Sequence, residues 1–291
     1  MKLYAPSTIR ELQAKHDPRL SKSLGQNFLA DKNIIDAIIE QSYIDDKDHV
    51  IEIGPGIGVI TRELCQTAGV VTAIEIDSRL MPVLSETLSD FGNVQIINQD
   101  ILKTDLHEII NSARLPNGDK PKGVKVIGNL PYYITTPIIM KLLEEKIPVD
   151  SVTIMMQKEV AERIAASPGS KIYGAITVAV AYYCKVVKIA QVPKEVFIPK
   201  PKVDSTVLRL DMSKEPPVKL LDEEVFFGCI KAGFGQRRKT LLNSLSGNMG
   251  LDKESAALAL KEADIDPIRR AETLTIEEFA LLAKSITKVR S

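Results

Sequence analysis

Histidine is scarce in this chain of 291 residues: His16, His49 and His107 are the three present, and none lies near another histidine or a cysteine. A zinc site or a serine-hydrolase triad therefore has little to be built from, and no metal site is expected. Cysteine is as rare. Cys65, Cys184 and Cys229 stand far apart, each among apolar neighbours, which suits buried thiols in a reducing compartment better than a disulfide framework. Charge of one sign is not in excess, 38 basic residues balancing 38 acidic ones, so a strongly basic nucleic-acid glove is excluded as a whole-chain property while a local basic face is not. Long hydrophobic runs are missing too. The stretch from Ala175 to Ala181 is far too short to span a bilayer, and the first residues contain no apolar core of signal-peptide length. A cytoplasmic, monomeric protein with no membrane partner is the expectation. No internal repeat or low-complexity tract is present, and with 44% hydrophobic and 26% charged residues the composition is that of a folded protein of about two domains.

From His49 onward, short β-branched runs alternate with helical spacing, the signature of βαβ units and a largely parallel sheet. The strand-like runs are His49 to Ile53, Val70 to Ile76, Val94 to Asn98, Val124 to Ile127 and Val152 to Met156. Between them, Gly58 to Thr67, Ser78 to Ser89 and Thr135 to Lys146 carry apolar residues at helical intervals, with Pro137 acceptable in a first turn. After Lys158 comes a further helix, a Ser167 to Ser170 break and a continuous apolar run from Gly174 to Cys184. Val186 to Gln191 and Val207 to Leu210 read as antiparallel strands closing the sheet. The Met212 to Pro217 segment interrupts the pattern, and beyond it Glu223 to Lys231, Lys239 to Leu245, Lys253 to Glu262 and Ile276 to Lys284 are helical. The expected organisation is an N-terminal basic arm over 1–24, an α/β domain with a mostly parallel sheet over 25–212, and a small α-helical domain over 213–291.

The first run ends in Glu52-Ile53-Gly54-Pro55-Gly56-Ile57-Gly58 directly before a helix. Glycines there let the backbone turn sharply and approach a ligand, although a plain tight turn uses the same residues. Glu75 closes the second run about twenty residues beyond Gly54, where an acid meets a ribose hydroxyl in dinucleotide folds. The glycine spacing departs from the Gly-x-Gly-x-x-Gly of pyrophosphate binders, so a nucleoside ligand without phosphates, such as S-adenosylmethionine, fits better than NAD. Asp100, after the third run, can accept from an adenine amino group or can cap the helix that follows.

The fourth run leads straight into Asn129-Leu130-Pro131-Tyr132. In an open α/β sheet the carboxyl ends of strands face one crevice, so this tetrapeptide shares it with Gly54 and Glu75. Methylating an exocyclic adenine nitrogen is difficult because its lone pair is delocalised into the ring. Two fixed acceptors on the amino hydrogens, the Asn129 side-chain oxygen and the Leu130 carbonyl, would favour the transition state as positive charge develops. Pro131 restricts the residue before it and Tyr132 offers a flat stacking face. An Asn-x-Pro turn with a core tyrosine is the plainer alternative.

Asn129-Leu130-Pro131-Tyr132 resembles the target-amine motif of adenine amino methyltransferases, and the Glu52 to Gly58 segment resembles the methionine-side motif of the same Rossmann-like, S-adenosylmethionine-dependent enzymes. Leu24 to Leu29 (LGQNFL), Met156 to Arg163 (MQKEVAER) and Phe197 to Ser205 (FIPKPKVDS) narrow the likeness to the KsgA-type dimethyladenosine transferases of small-subunit ribosomal RNA, and it runs from about residue 20 to 290. Tyr133 stands where many relatives have asparagine, and Leu115 to Gly123 looks like a loop of variable length. The resemblance implies that Asn27 and Leu29 contact the cofactor from the N-terminal segment. Gly54 and Gly56 would underlie its methionine part, Glu75 its ribose, Asp100 its adenine and Asn129 its methyl-transfer end. Tyr132 and Phe197 would sandwich the flipped target adenine. The implied substrate is two adjacent adenosines in a hairpin near the 3′ end of small-subunit RNA in a pre-30S-type particle.

Local charge agrees with an RNA partner. Residues 185–202 hold five lysines, Lys185, Lys188, Lys194, Lys200 and Lys202, against the single acid Glu195. Lys231, Arg237, Arg238 and Lys239 form a second acid-free run, and Arg10, Lys15, Arg19 and Lys22 stud the arm. Of these, Lys200, Lys202, Arg237, Arg238 and Lys239 are the candidates for RNA phosphates, though such runs are also ordinary solvated faces. The arm is expected to order when cofactor or RNA arrives. Three other readings compete: a macrolide-resistance methylase of large-subunit RNA, a non-catalytic assembly factor on the same fold, and an NAD oxidoreductase.

Overall fold

The computed structural model describes residues 2–16 and 26–290. The chain divides into two compact units, one of Met1–Ala161 with Val186–Met212, the other of Glu162–Lys185 with Ser213–Ser291.

The first unit begins with helix α1 (Pro6–His16), strand β1 (Phe28–Leu29) and α2 (Lys32–Gln41), and continues with β2 (Asp48–Ile53), α3 (Val59–Thr67), β3 (Val70–Glu75), α4 (Met81–Thr87), β4 (Val94–Asn98) and α5 (Leu106–Ser112). It then adds β5 (Gly123–Asn129), α6 (Thr135–Glu144), β6 (Ser151–Gln157) and the start of α7 (Lys158–Ile164). The second unit takes the end of α7 and α8 (Ala175–Tyr183); β7 (Cys184–Val192), β8 (Phe197–Ile198) and β9 (Ser205–Met212) return the chain to the sheet. Four helices follow: α9 (Glu223–Gly235), α10 (Leu241–Asn248), α11 (Lys253–Glu262) and α12 (Ile276–Arg290).

The strand order of the seven-stranded sheet is β4-β3-β2-β5-β6-β9-β7, with β4 to β6 mutually parallel and β9 antiparallel to β6. β2 is buried at every position, so its run of Val50, Ile51 and Ile53 shows no alternation, as expected for a strand covered on both faces. From β2 the chain winds outward through β3 to β4, then crosses back to lay β5 on the other side of β2. That reversal opens a crevice at the carboxyl ends of β2 and β5. Aspartates mark the helix starts: Asp31 accepts from the backbone of Asn33 and Ile34, and Asp222 and Asp252 cap α9 and α11 in the same way.

α1 is not a free basic arm. Its Ile9 and Leu12 are buried in the first unit's core, while Lys15 and His16 both reach Glu86 at 2.8 Å. Arg19 and Lys22, with Leu24 and Gly25 of the quoted motif, lie outside the described residues. The single boundary expected after 212 also differs from the structure, because Glu162–Lys185 belongs with the helical unit. There Tyr173 meets Phe234 at 5.8 Å between ring centres and Tyr182 meets Phe226 at 5.3 Å. α8 is apolar nearly all round and has no stripe to declare a partner, so its allegiance was invisible in the sequence. All three cysteines are buried, and none forms a disulfide. No helix among the described residues is long and apolar enough to cross a membrane.

Candidate functional site

A cleft of about 1050 Å³, its open mouth included, lies at the carboxyl ends of β2, β3 and β5, entirely within the first unit. Its wall brings together Asn27, Leu29, Gly54, Gly56, Glu75, Asp100, Asn129, Leu130, Pro131, Tyr132 and Phe197, residues drawn from six separate stretches of the chain.

The glycine loop has an unusual donor balance. Gly54, Gly56 and Gly58 all have positive φ, 70°, 60° and 87°, and a Cβ on Gly56 would stand 3.1 Å from the Phe28 ring. Their amides are already committed: Gly54 donates to the Ile74 carbonyl at 2.9 Å, Gly56 to Glu75 Oε2 at 3.2 Å and Gly58 to the Pro55 carbonyl at 2.9 Å. None of the three glycine amides is left free for a pyrophosphate.

Two buried acids reinforce the point. Glu75 receives the Asp77 amide on Oε1 at 2.9 Å and the Gly56 amide on Oε2, and burial raises its carboxyl above the usual range despite those donors. Glu52 is 1% exposed, its Oε2 has no hydrogen-bond partner among the described residues, and burial pushes it up to about 8, with the Glu75 charge adding to the rise. Either acid would repel an anion once ionised, whereas a cationic ligand would draw both into their charged forms. The site therefore favours a nucleoside carrying positive charge over one carrying phosphates.

Opposite the glycine loop, Asn129 donates one Nδ2 hydrogen to the Asn27 carbonyl at 3.1 Å, which fixes the amide and leaves its oxygen to other use. Leu130 is buried, while Tyr132 is half-buried and its hydroxyl is 2.9 Å from Ser205 Oγ. Burial raises the Tyr132 phenol above its ordinary value, so it stays neutral. Phe197 is brought to the same cleft by the two-stranded β1-β8 pair, in which it stands opposite Leu29, and the Ala30 amide bonds the Val196 carbonyl at 2.8 Å. Asp100 lines the cleft and also caps the short helix after it, its Oδ1 accepting from the Leu102 amide at 3.0 Å. The two readings of Asp100 are compatible, since a carboxylate has lone pairs for both.

The sequence of residues 18–288 matches the profile of a family described as ribosomal RNA adenine dimethylase. This chain belongs to that family. It is 52% identical over 98% of both chains to the ribosomal RNA small subunit methyltransferase A of Alkaliphilus metalliredigens. With the protein of the same name in Clostridioides difficile it shares 50% identity over 100% of this chain and 99% of the other. Among solved structures it resembles a dimethyladenosine transferase from Plasmodium falciparum, with a TM-score of 0.74 and 26% identity over 90% of this chain and 98% of that one. It also resembles the 23S rRNA methyltransferase ErmE, with a TM-score of 0.64 at 26% identity over 90% and 100%. The Rossmann-like methyltransferase fold expected from the sequence is thus the observed one.

The basic residues fare differently from those of the cleft. Lys202 is exposed, and Lys200 is tied to Glu195 at 2.6 Å, so its charge is already compensated. Arg237 donates through Nη2 to the carbonyls of Lys171 at 2.8 Å and Tyr173 at 3.1 Å, which staples a loop of its own unit, and the residue is exposed. Arg238 and Lys239 are exposed in that helical unit. Neither the buried Glu52 nor the Ser205 partner of Tyr132 was singled out from the sequence. An acid inside an otherwise apolar buried strand was the available sign of the first; the second depends on β9 lying beside β6 and has no local sign.

Proposed function

We propose that this protein transfers methyl groups from S-adenosylmethionine to exocyclic amino nitrogens of adenine in small-subunit ribosomal RNA, twice per nucleoside, at two adjacent adenosines of a hairpin near the 3′ end. The observation that carries the reading is one cleft in which a glycine loop and two buried acids, Gly54, Gly56, Glu52 and Glu75, share the wall with an acceptor and a flat ring, Asn129 and Tyr132. S-adenosylmethionine, when bound, would supply an electrophilic methyl group on a sulfonium. Glu75 would accept from its ribose hydroxyls, Asp100 from its adenine, and Asn27, Leu29, Gly54 and Gly56 would shape the rest of the pocket.

The chain's own residues act on the adenine. Tyr132 and Phe197 would hold the flipped base between their faces, offsetting part of the cost of unstacking it, since each base–aromatic stack is worth roughly 1–3 kcal/mol. Asn129 Oδ1 and the Leu130 carbonyl would accept from the amino hydrogens and keep the nitrogen lone pair aimed out of the ring plane. Because Nδ2 of Asn129 is engaged by the Asn27 carbonyl, its acceptor end is oriented before substrate arrives. Exposed Lys202, Arg238 and Lys239 would meet phosphates of the RNA in a pre-30S-type particle, the protein acting as a cytoplasmic monomer.

The test is methyl transfer from labelled S-adenosylmethionine to small ribosomal subunits lacking these methyl groups, with large-subunit RNA alongside and nucleoside analysis of the product. Dimethyladenosine in small-subunit RNA alone is expected. Product in large-subunit RNA would move the assignment to the macrolide-resistance branch, and cofactor binding without product would return it to a binding factor. Asn129→Ala should lower the rate at least about a hundredfold while cofactor affinity changes little; near-normal turnover would remove the acceptor role.

A further inference from the structure

The two tyrosines of the turn after β5 are disposed in opposite ways. Tyr132 turns inward to Ser205, whereas Tyr133 lines the same cleft yet keeps 68% of its surface exposed, which puts it at the mouth. A lone exposed aromatic is common and carries no meaning by itself. This one differs in its place and its state. It borders the cleft that holds Asn129 and Phe197, and it makes no hydrogen bond, ring contact or cation contact among the described residues. The backbone beneath it is fixed, with the Ile134 amide on the Pro131 carbonyl at 3.1 Å and the Ile138 amide on the Ile134 carbonyl at 3.0 Å as α6 begins. A flat ring with two side-chain torsions on a fixed turn loses little freedom when something stacks on it.

We propose that Tyr133 is a positioning residue for the RNA and stacks on the nucleotide next to the adenine held in the cleft. The inference rests on the functional reading above. Withdrawing one base from a stacked adjacent pair leaves its neighbour with an uncovered face, and an aromatic ring at the rim covers it. Such a stack tolerates any base, because every base has a π-face, so it serves whichever of the two adjacent adenosines is outside while the other is inside. The charge runs identified from the sequence offer no equivalent, since lysine and arginine on phosphates hold the backbone but not the plane of a base.

The experiment compares wild type, Tyr133→Ala and Tyr133→Phe in initial-rate methyl transfer to small subunits lacking these methyl groups, with S-adenosylmethionine affinity measured by calorimetry on each protein. Tyr133→Ala should raise KM for the subunit at least about fivefold, the lower end for loss of one base–aromatic stack, with a smaller change in kcat. Tyr133→Phe should stay within about twofold of wild type, and cofactor affinity should be unchanged in both. A smaller rise in KM, a phenylalanine variant as impaired as the alanine one, or loss of cofactor affinity in Tyr133→Ala would each overturn the proposal. If the wild-type protein transfers nothing to small subunits, the functional reading falls and this proposal with it, an outcome visible before any variant is compared.

Discussion

Replacing Glu52 by glutamine should remove a pH dependence of stability that the fold builds into β2. Burial raises the Glu52 carboxyl from 4.5 to about 8, and burial lowers His49, on the same strand with Nε2 2.8 Å from Thr72 Oγ1, from 6.5 to about 4. Between the two Glu52 values the folded protein keeps a proton that the unfolded chain has released, so stability falls as pH rises, at up to about 1.4 kcal/mol per unit, and levels off above the folded value. His49 acts in the opposite sense. Below its unfolded value the unfolded chain binds a proton that the folded protein refuses, so stability falls as pH falls toward about 4. The two slopes oppose each other in the acid range and leave the interval from about 6.5 to 8 to Glu52. Over that interval the linkage is worth about 2 kcal/mol, because the slope halves as the folded pKa is reached, or about 4–8 °C in Tm for a unit of this size. Urea and thermal unfolding of wild type and Glu52→Gln across that interval provide the assay. The variant's level can shift either way, since the amide must find its own partners, so the diagnostic is the slope: the stability of wild type minus that of the variant should fall by about 2 kcal/mol. Parallel curves would mean that Glu52 ionises at an ordinary pH and that burial in β2 does not hold its proton.

Gly56→Ala should cost about 1–2 kcal/mol, because φ is 60° there and the new methyl group meets the Phe28 ring at 3.1 Å, and an unchanged urea midpoint would show that the loop can open. Tyr132→Phe gives up the bond to Ser205, about 1 kcal/mol, while keeping the stacking face, so kcat/KM should fall less than about tenfold, whereas Tyr132→Ala should fall further. Equal losses in the two variants would assign the role to the hydroxyl. Lys202→Ala should reduce the slope of log K against log salt in RNA binding by about 1, and Lys200→Ala by less because Glu195 already compensates that charge. Matching slopes would show that the ion pair opens on RNA.

Much of the first unit is legible in the sequence because its strands are short, β-branched and separated by helical spacing. Val94 to Asn98 and Lys253 to Glu262 are found with the expected ends, and the strands at Asp48, Val70 and Ser151 lie within a residue or so of them. α1 and α2 lie outside the expected elements: α1 has few apolar residues, whereas α2, with Ile34, Ile35, Ile38 and Ile39 behind the Asp31 cap, carried a helical signal of its own. Gly54, Glu75, Asp100 and Asn129 were readable as site candidates because they end or follow parallel strands, whose ends share one side of a sheet, whereas Asn27, Leu29 and Phe197 rested on the resemblance alone.

What the chain determines locally is the alternation of strand and helix, the left-handed glycine loop, and the Asn129 to Tyr132 turn, all products of short-range sterics and hydrophobic spacing. What only the tertiary structure decides is how those parts are charged and faced. The β5 crossover sets Asn129 across from Gly54, and the β1-β8 pair carries Phe197 into the same cleft. Burial makes Glu52 a weak acid, and folding brings the Lys171 and Tyr173 carbonyls to Arg237 while leaving Lys202 exposed. Ionisation and exposure are properties of surroundings, and the surroundings of these residues come from chain segments scores of positions away.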